Sequence, residues 1–105
     1  MVKRGDICWV SLPDEEKRRP ALVLTRDEAI PAMKRVVIAY LTTKIRGIPI
    51  EVRLDSDDGV PRECVVNFDN LRTVSCSLLS EPITTLSGPR MHEVCRAIAI
   101  ATGCD

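Results

Sequence analysis

Apolar positions along this chain fall into several short runs, followed by one stretch with a different period. Ile7-Cys8-Trp9-Val10-Ser11-Leu12 follows Gly5 and Asp6, stops at Pro13, and predicts a strand. Residues 14–18 are a charged connection. Pro20 then opens Ala21-Leu22-Val23-Leu24-Thr25, and residues 35–42 carry Val36-Val37-Ile38-Ala39-Tyr40-Leu41. Runs this continuous fit strands covered on both faces. Between them, residues 26–32 read as a short turn or helical stretch broken by Pro31. Gly47 and Pro49 bend the chain before residues 50–54, which alternate apolar and charged side chains as a half-exposed strand does. Residues 55–61 form a loop with Asp58-Gly59 as its turn signal. Cys64-Val65-Val66 and Leu71-Arg72-Thr73-Val74 predict two short strands flanking Asn67-Phe68-Asp69-Asn70.

The period then changes. Ser87 is a helix N-cap with Pro89 in the first turn, and Met91, Val94, Cys95 and Ile98 follow the spacing i, i+3, i+4, i+7 before Gly103 stops the helix. Several short strands followed by one amphipathic helix predict a mainly-β fold: a small, strongly bent sheet or partly open barrel with the helix packed on it.

A length of 105 residues suits one domain spanning residues 1–105, and the 45% of apolar residues can build a core. Trp9, Tyr40 and Phe68 are the only aromatics, so that core is aliphatic, with Phe68 in it. Burial in so small a domain is marginal, which favours oligomerisation. The 15 basic and 15 acidic residues cancel, which argues against a nonspecific nucleic-acid coat but leaves room for a local basic groove. Lys17, Arg18 and Arg19 form one basic cluster; Lys44 and Arg46 form another. Asp55, Asp57 and Asp58 lack the remaining ligands of a calcium loop and read as a solvated turn. Five cysteines without a CxxC pair predict buried free thiols in a reducing compartment, with no disulfide framework and no zinc site. No run has the look of a signal peptide or the length of a membrane span, so a cytoplasmic protein with no membrane association is expected.

Three segments carry groups suited to chemistry. In Arg18-Arg19-Pro20, the proline confines Arg19 to extended geometry beside a buried strand, and a guanidinium there can stabilise a phosphorane-like charge. Leu41-Thr42-Thr43-Lys44 ends another buried strand, where a hydroxyl can donate to a phosphate oxygen or orient a ribose 2′-OH. Asn67, Asp69, Asn70 and Arg72 set amides, a carboxylate and a guanidinium within one short segment able to read base edges. Taken singly, each has a plainer reading: a surface arginine paired with Glu15 or Glu16, a β-branched strand end, an Asx-type turn. His92, the only histidine, reads as a solvated helix residue, and no Ser-His-Asp, Walker or zinc pattern occurs.

Together these segments resemble the MazF/PemK family of toxin ribonucleases. The matches are Arg4-Gly5-Asp6-Ile7-Cys8-Trp9-Val10, Arg19-Pro20-Ala21-Leu22-Val23-Leu24, Leu41-Thr42-Thr43-Lys44, Gly47-Ile48-Pro49-Ile50-Glu51-Val52, Asp69-Asn70-Leu71-Arg72-Thr73-Val74 and the C-terminal helix. The resemblance spans almost the whole chain in the right order. It implies an SH3-like small barrel of the CcdB/PemK type with a C-terminal helix, assembled as a homodimer. It also implies a metal-independent, sequence-specific endoribonuclease of a type II toxin–antitoxin system, without a cofactor. Single-stranded RNA (mRNA, with tRNA and rRNA as further classes) would be cut by 2′-OH attack to a 2′,3′-cyclic phosphate and a 5′-OH. A cognate MazE-like antitoxin would occupy the RNA groove with an acidic tail. The family's catalytic arginine maps onto Arg19 and its threonine onto Thr42. The aspartate given a base role in the plasmid-encoded branch maps onto Asp69. Lys17, Arg18, Thr43, Lys44, Arg46, Asn67, Asn70 and Arg72 are the expected RNA contacts.

The chain departs from the family in a short connection at residues 14–18, in having no loop histidine, and in Asn67 where the plasmid branch has arginine. Two other classes stay open. A CcdB-like gyrase inhibitor shares the fold, but its activity depends on a Trp-Gly-Ile tail where this chain has Thr102-Gly103-Cys104-Asp105. An SH3-like interaction module needs an aromatic groove for proline-rich peptides, and three aromatics are few for that.

Overall fold

Each of the two continuous apolar runs becomes an interior strand of one sheet. The computed structural model describes residues 1–105. Its strands are β1 (Asp6–Val10), β2 (Arg19–Val23), β3 (Arg35–Thr42), β4 (Glu51–Leu54), β5 (Cys64–Ser75) and β6 (Thr84–Thr85). A short helix α1 (Ile30–Met33) precedes β3, and α2 (Gly88–Thr102) closes the chain. The strands pair antiparallel in the order β4-β5-β3-β2-β1-β6, and the sheet curls into half a barrel with α2 against it.

Alternation along each strand sends successive side chains to opposite faces, and both faces are covered. On one face Ile7, Leu22, Ala39, Leu41, Val66 and Phe68 pack with Val94 and Ala97 of α2. On the other, Cys8, Val10, Ala21, Val23, Val36, Ile38 and Val74 pack with Ile30 of α1. The interior is aliphatic apart from Phe68, which is 2% exposed.

One irregularity shapes the whole molecule. In the β3–β5 ladder Ala39 faces Leu71 but Leu41 faces Val66, so Tyr40 alone stands opposite residues 67–70. This irregular bulge turns Phe68 inward and leaves Asn67, Asp69 and Asn70 outside the core. The Asp69 N–H donates to Asn67 Oδ1 at 2.8 Å, which is the expected Asx turn, now set within a strand. The two short strands predicted here are therefore one long strand, β5.

Other expectations need correction. Pro31 does not break a helix: it lies in the first turn of α1, where its missing N–H has no helical partner to lose. Pro20 lies within β2, opposite Trp9. Of the residues predicted to face the core from α2, Val94 is buried and Met91 and Ile98 pack against the cluster, but Cys95 is exposed. Ala97 and Ala101 complete the stripe instead. Only Cys8 and Cys64 are fully buried; Cys76 is half-buried, and Cys95 and Cys104 are exposed. Asp58 is not a solvated turn residue. Its carboxylate accepts from Arg90 Nε at 2.9 Å and Nη2 at 3.2 Å, tying the loop before β5 to α2.

Candidate active site

The β2–β3 register pairs Ala21 with Tyr40 and Val23 with Ile38. Carried two residues further, the same register sets Arg19 opposite Thr42. Arg19, Tyr40 and Thr42 thus project from one face at the end of two adjacent strands, just beyond the apolar stretch containing Ala21, Val23 and Ile38. Rigid strands on both sides fix these three positions, the kind of support that a site requiring exact placement needs.

They open into a cavity of about 290 Å³ lined by Arg19, Tyr40, Thr42, Lys44, Arg46, Asn67 and Asn70. The β5 bulge brings Asn67 and Asn70 to this wall. The loop after β3 supplies Lys44 and Arg46, and two local devices hold it. Thr42 Oγ1 accepts the Lys44 N–H at 3.1 Å. Glu51 Oε1 accepts the N–H groups of Arg46 at 3.1 Å and Gly47 at 3.0 Å. Gly47 sits at φ 69°, a left-handed conformation that costs glycine least.

The walls carry three cations and no carboxylate, so the cavity is positive although the chain as a whole is neutral. Arg19 forms no ion pair; its Cζ lies 4.0 Å from the centroid of the Tyr40 ring. Pairing with Glu15 or Glu16 is therefore not what holds this arginine. The Thr42 hydroxyl, already accepting from Lys44, keeps its own proton free to donate.

A second cavity of about 350 Å³ adjoins the first and shares Thr42 with it. Its walls are mostly apolar and include Trp9, Pro20, Leu41, Thr43, Pro61, Arg62 and Ile83. Cys64 also lines it, but burial pushes that thiol's pKa up, and burial pushes the Cys8 thiol to about 11. Both are protonated at neutral pH and poorly suited to nucleophilic chemistry.

Of the residues singled out from sequence, Arg19, Thr42, Lys44, Arg46, Asn67 and Asn70 meet in one cavity. Thr43 faces the apolar neighbour instead. Lys17 is exposed on the connection before β2, and Arg18 turns away to lie 4.7 Å over the Trp9 ring. Asp69 and Arg72 are exposed and stand outside the cavity walls, Arg72 being paired in register with Ile38. Two residues were missed. Tyr40 was open to inference, since it lies two positions before Thr42 and a strand brings every second residue to one face. Glu51 was not, because its partners are backbone groups of a loop.

The fold and the cavity define a small half-barrel protein with a cationic cavity at the end of its central strands. Residues 3–102 match the family described as PemK-like, MazF-like toxin of type II toxin-antitoxin system, and the chain belongs to that family. It is 39% identical to "Probable endoribonuclease MazF5" of Mycobacterium tuberculosis (strain ATCC 25618 / H37Rv), over 97% of this chain and 94% of that protein. Among solved structures it is similar to "Mycobacterium tuberculosis toxin MazF-mt6", with a TM-score of 0.85 and 32% identity over 95% of this chain and 98% of the other. It also resembles "Endoribonuclease in complex with its cognate antitoxin from Mycobacterial species", with a TM-score of 0.89 and 25% identity over 100% of this chain and 98% of the other.

Proposed function

We propose that residues 1–105 act as one domain that cleaves single-stranded RNA in the cavity between Arg19 and Thr42. The family and its curated relatives make the chain a MazF-type endoribonuclease of a toxin–antitoxin system. The observation that carries the site assignment is an unpaired guanidinium and a free hydroxyl proton set on adjacent strands above a cationic, carboxylate-free cavity.

The reaction follows from those groups. The ribose 2′-OH attacks the adjacent phosphorus in line and the 5′-oxygen departs, leaving a 2′,3′-cyclic phosphate and a 5′-OH. Because the nucleophile belongs to the substrate, effective molarity is already high. Arg19 neutralises charge building on the phosphorane and assists the departing oxygen. The Thr42 hydroxyl donates to a non-bridging oxygen. Lys44 and Arg46 hold flanking phosphates, while Asn67 and Asn70 offer amides to base edges. The apolar cavity beside Thr42 has room for a base next to the cut. Cations, hydroxyls and amides on the walls favour a reaction assisted without a bound metal. Lys17, Arg18, Thr43 and Arg72 serve as outer contacts.

Asp69 is the weaker assignment as proton acceptor, because it stands outside the walls. Asp69→Asn is expected to slow cleavage less than about 10-fold, below the usual worth of a committed general base. The structure of a relative with its cognate antitoxin supports an antitoxin partner here, its acidic tail competing with RNA for the cavity. We further assign a homodimer in the cytoplasm, acting on mRNA, tRNA or rRNA. No helix is long and apolar enough to cross a membrane.

The direct test is cleavage of a long single-stranded RNA with chelator present. Arg19→Ala and Thr42→Ala, each shown to be folded, are expected to lose about 100-fold or more in rate, the scale of removing one transition-state donor. Cleavage by either at the wild-type rate would remove that residue from the site.

A further inference from the structure

Tyr40 is a wall of the cavity that the chemistry above leaves without a task. It projects from the same strand face as Thr42, diagonally across from Arg19. Its ring and its hydroxyl make separate observations. The Arg19 guanidinium carbon lies 4.0 Å from the ring centroid, and no hydrogen bond or ion pair to another protein group holds that side chain. The hydroxyl oxygen is buried and makes no hydrogen bond to another protein group.

A guanidinium resting on an aromatic face keeps its in-plane N–H edge free for a phosphate. An arginine otherwise loses much rotamer freedom when it binds, so a platform that holds it beforehand raises the rate of the bound complex. Buried hydroxyls are nearly always hydrogen-bonded, and one left unpaired at a binding site marks a place for an arriving partner.

We propose that Tyr40 is the positioning residue for Arg19: its ring carries the guanidinium, and its hydroxyl keeps a hydrogen bond for RNA entering the cavity. The proposal rests on Arg19 being the catalytic arginine. A residue that merely fills the second core would affect stability and leave the dependence on Arg19 untouched.

The experiment is single-turnover cleavage of one fixed RNA fragment in chelator, with enzyme concentration varied. The proteins are wild type, Tyr40→Phe, Tyr40→Leu, Arg19→Ala and the Tyr40→Leu/Arg19→Ala double variant, each checked by thermal unfolding. Tyr40→Leu is expected to lower the maximal rate about 30-fold through misplacement of the guanidinium. Tyr40→Phe is expected to hold that rate within about 3-fold while raising the half-saturating concentration about 5-fold, the worth of one hydrogen bond. In the Arg19→Ala background, Tyr40→Leu is expected to add no more than about 2-fold, because coupled residues are not additive.

Equal slowing by Tyr40→Leu with and without Arg19 would overturn the positioning role. So would a Tyr40→Phe rate as low as that of Tyr40→Leu. An unchanged half-saturating concentration for Tyr40→Phe would remove the hydroxyl's part. Full activity of Arg19→Ala alone would sink the underlying reading, and that is read before any Tyr40 result. If Tyr40→Leu does not fold, Tyr40→Met, unbranched and able to fill the same space, serves the same comparison.

Discussion

The buried Tyr40 hydroxyl has no hydrogen-bond partner among the protein groups, and a buried hydroxyl without one costs stability. Tyr40→Phe is therefore expected to stabilise the RNA-free protein by about 1 kcal/mol, measured by denaturant unfolding. A destabilised Tyr40→Phe protein would mean the hydroxyl has a partner in the apo fold. Arg19 and Thr42 could be singled out from sequence because each borders an apolar run, Arg19 directly before Pro20 and Thr42 directly after Leu41. Their meeting could not be read locally, since it depends on the register between β2 and β3. Arg18 and Arg19 differ in sequence only by the proline after Arg19; the strand sends one onto Trp9 and the other onto Tyr40. Asp69 was singled out by the family motif, yet the bulge leaves it outside the walls.

At the scale of elements, the sheet follows from short continuous apolar runs and one alternating segment, and the final helix from a period of 3.6 residues. The β5 bulge and the two-residue strand β6 do not, because they express pairing between distant segments and not a local preference. The contact joining the residue 55–61 loop to α2 was hidden for the same reason. Asp58 read as a solvated aspartate, but Arg90 lies a long way along the chain and covers it. The Arg90 guanidinium holds the Asp58 carboxyl below the usual carboxylate range. Its contribution is thus full well above the unfolded carboxyl's ordinary value of about 3.9, and is lost as pH falls from there through the lowered native value. Asp58→Asn is expected to lower stability by about 2 kcal/mol at pH 7, and the gap from wild type is expected to close under strong acid. Denaturant melts at several pH values measure this; a gap that stays constant into strong acid would argue that the pair adds nothing as an ion pair.

For the whole molecule, a neutral chain that held RNA through the few cations of this cavity would show a modest salt dependence. With Arg19, Lys44 and Arg46 on phosphates, log affinity against log salt is expected to fall with a slope of roughly −2 on single-stranded RNA. Lys44→Ala is expected to flatten that slope by about 0.7. A much steeper wild-type slope would show that outer residues such as Lys17 and Arg72 carry the backbone. An antitoxin held by an acidic tail, as proposed, would meet the same field, so salt is expected to weaken both partners together.

The central claim is that Arg19 and Thr42 perform transesterification of RNA. It is tested most directly by the initial rate of cleavage of one RNA in excess chelator by folded wild-type, Arg19→Ala and Thr42→Ala proteins, with the product ends identified. The expected result is rapid wild-type cutting to 2′,3′-cyclic phosphate and 5′-OH ends, with each variant slower by about 100-fold or more. Cutting by both variants at the wild-type rate, or wild-type products bearing 3′-OH ends, would contradict it.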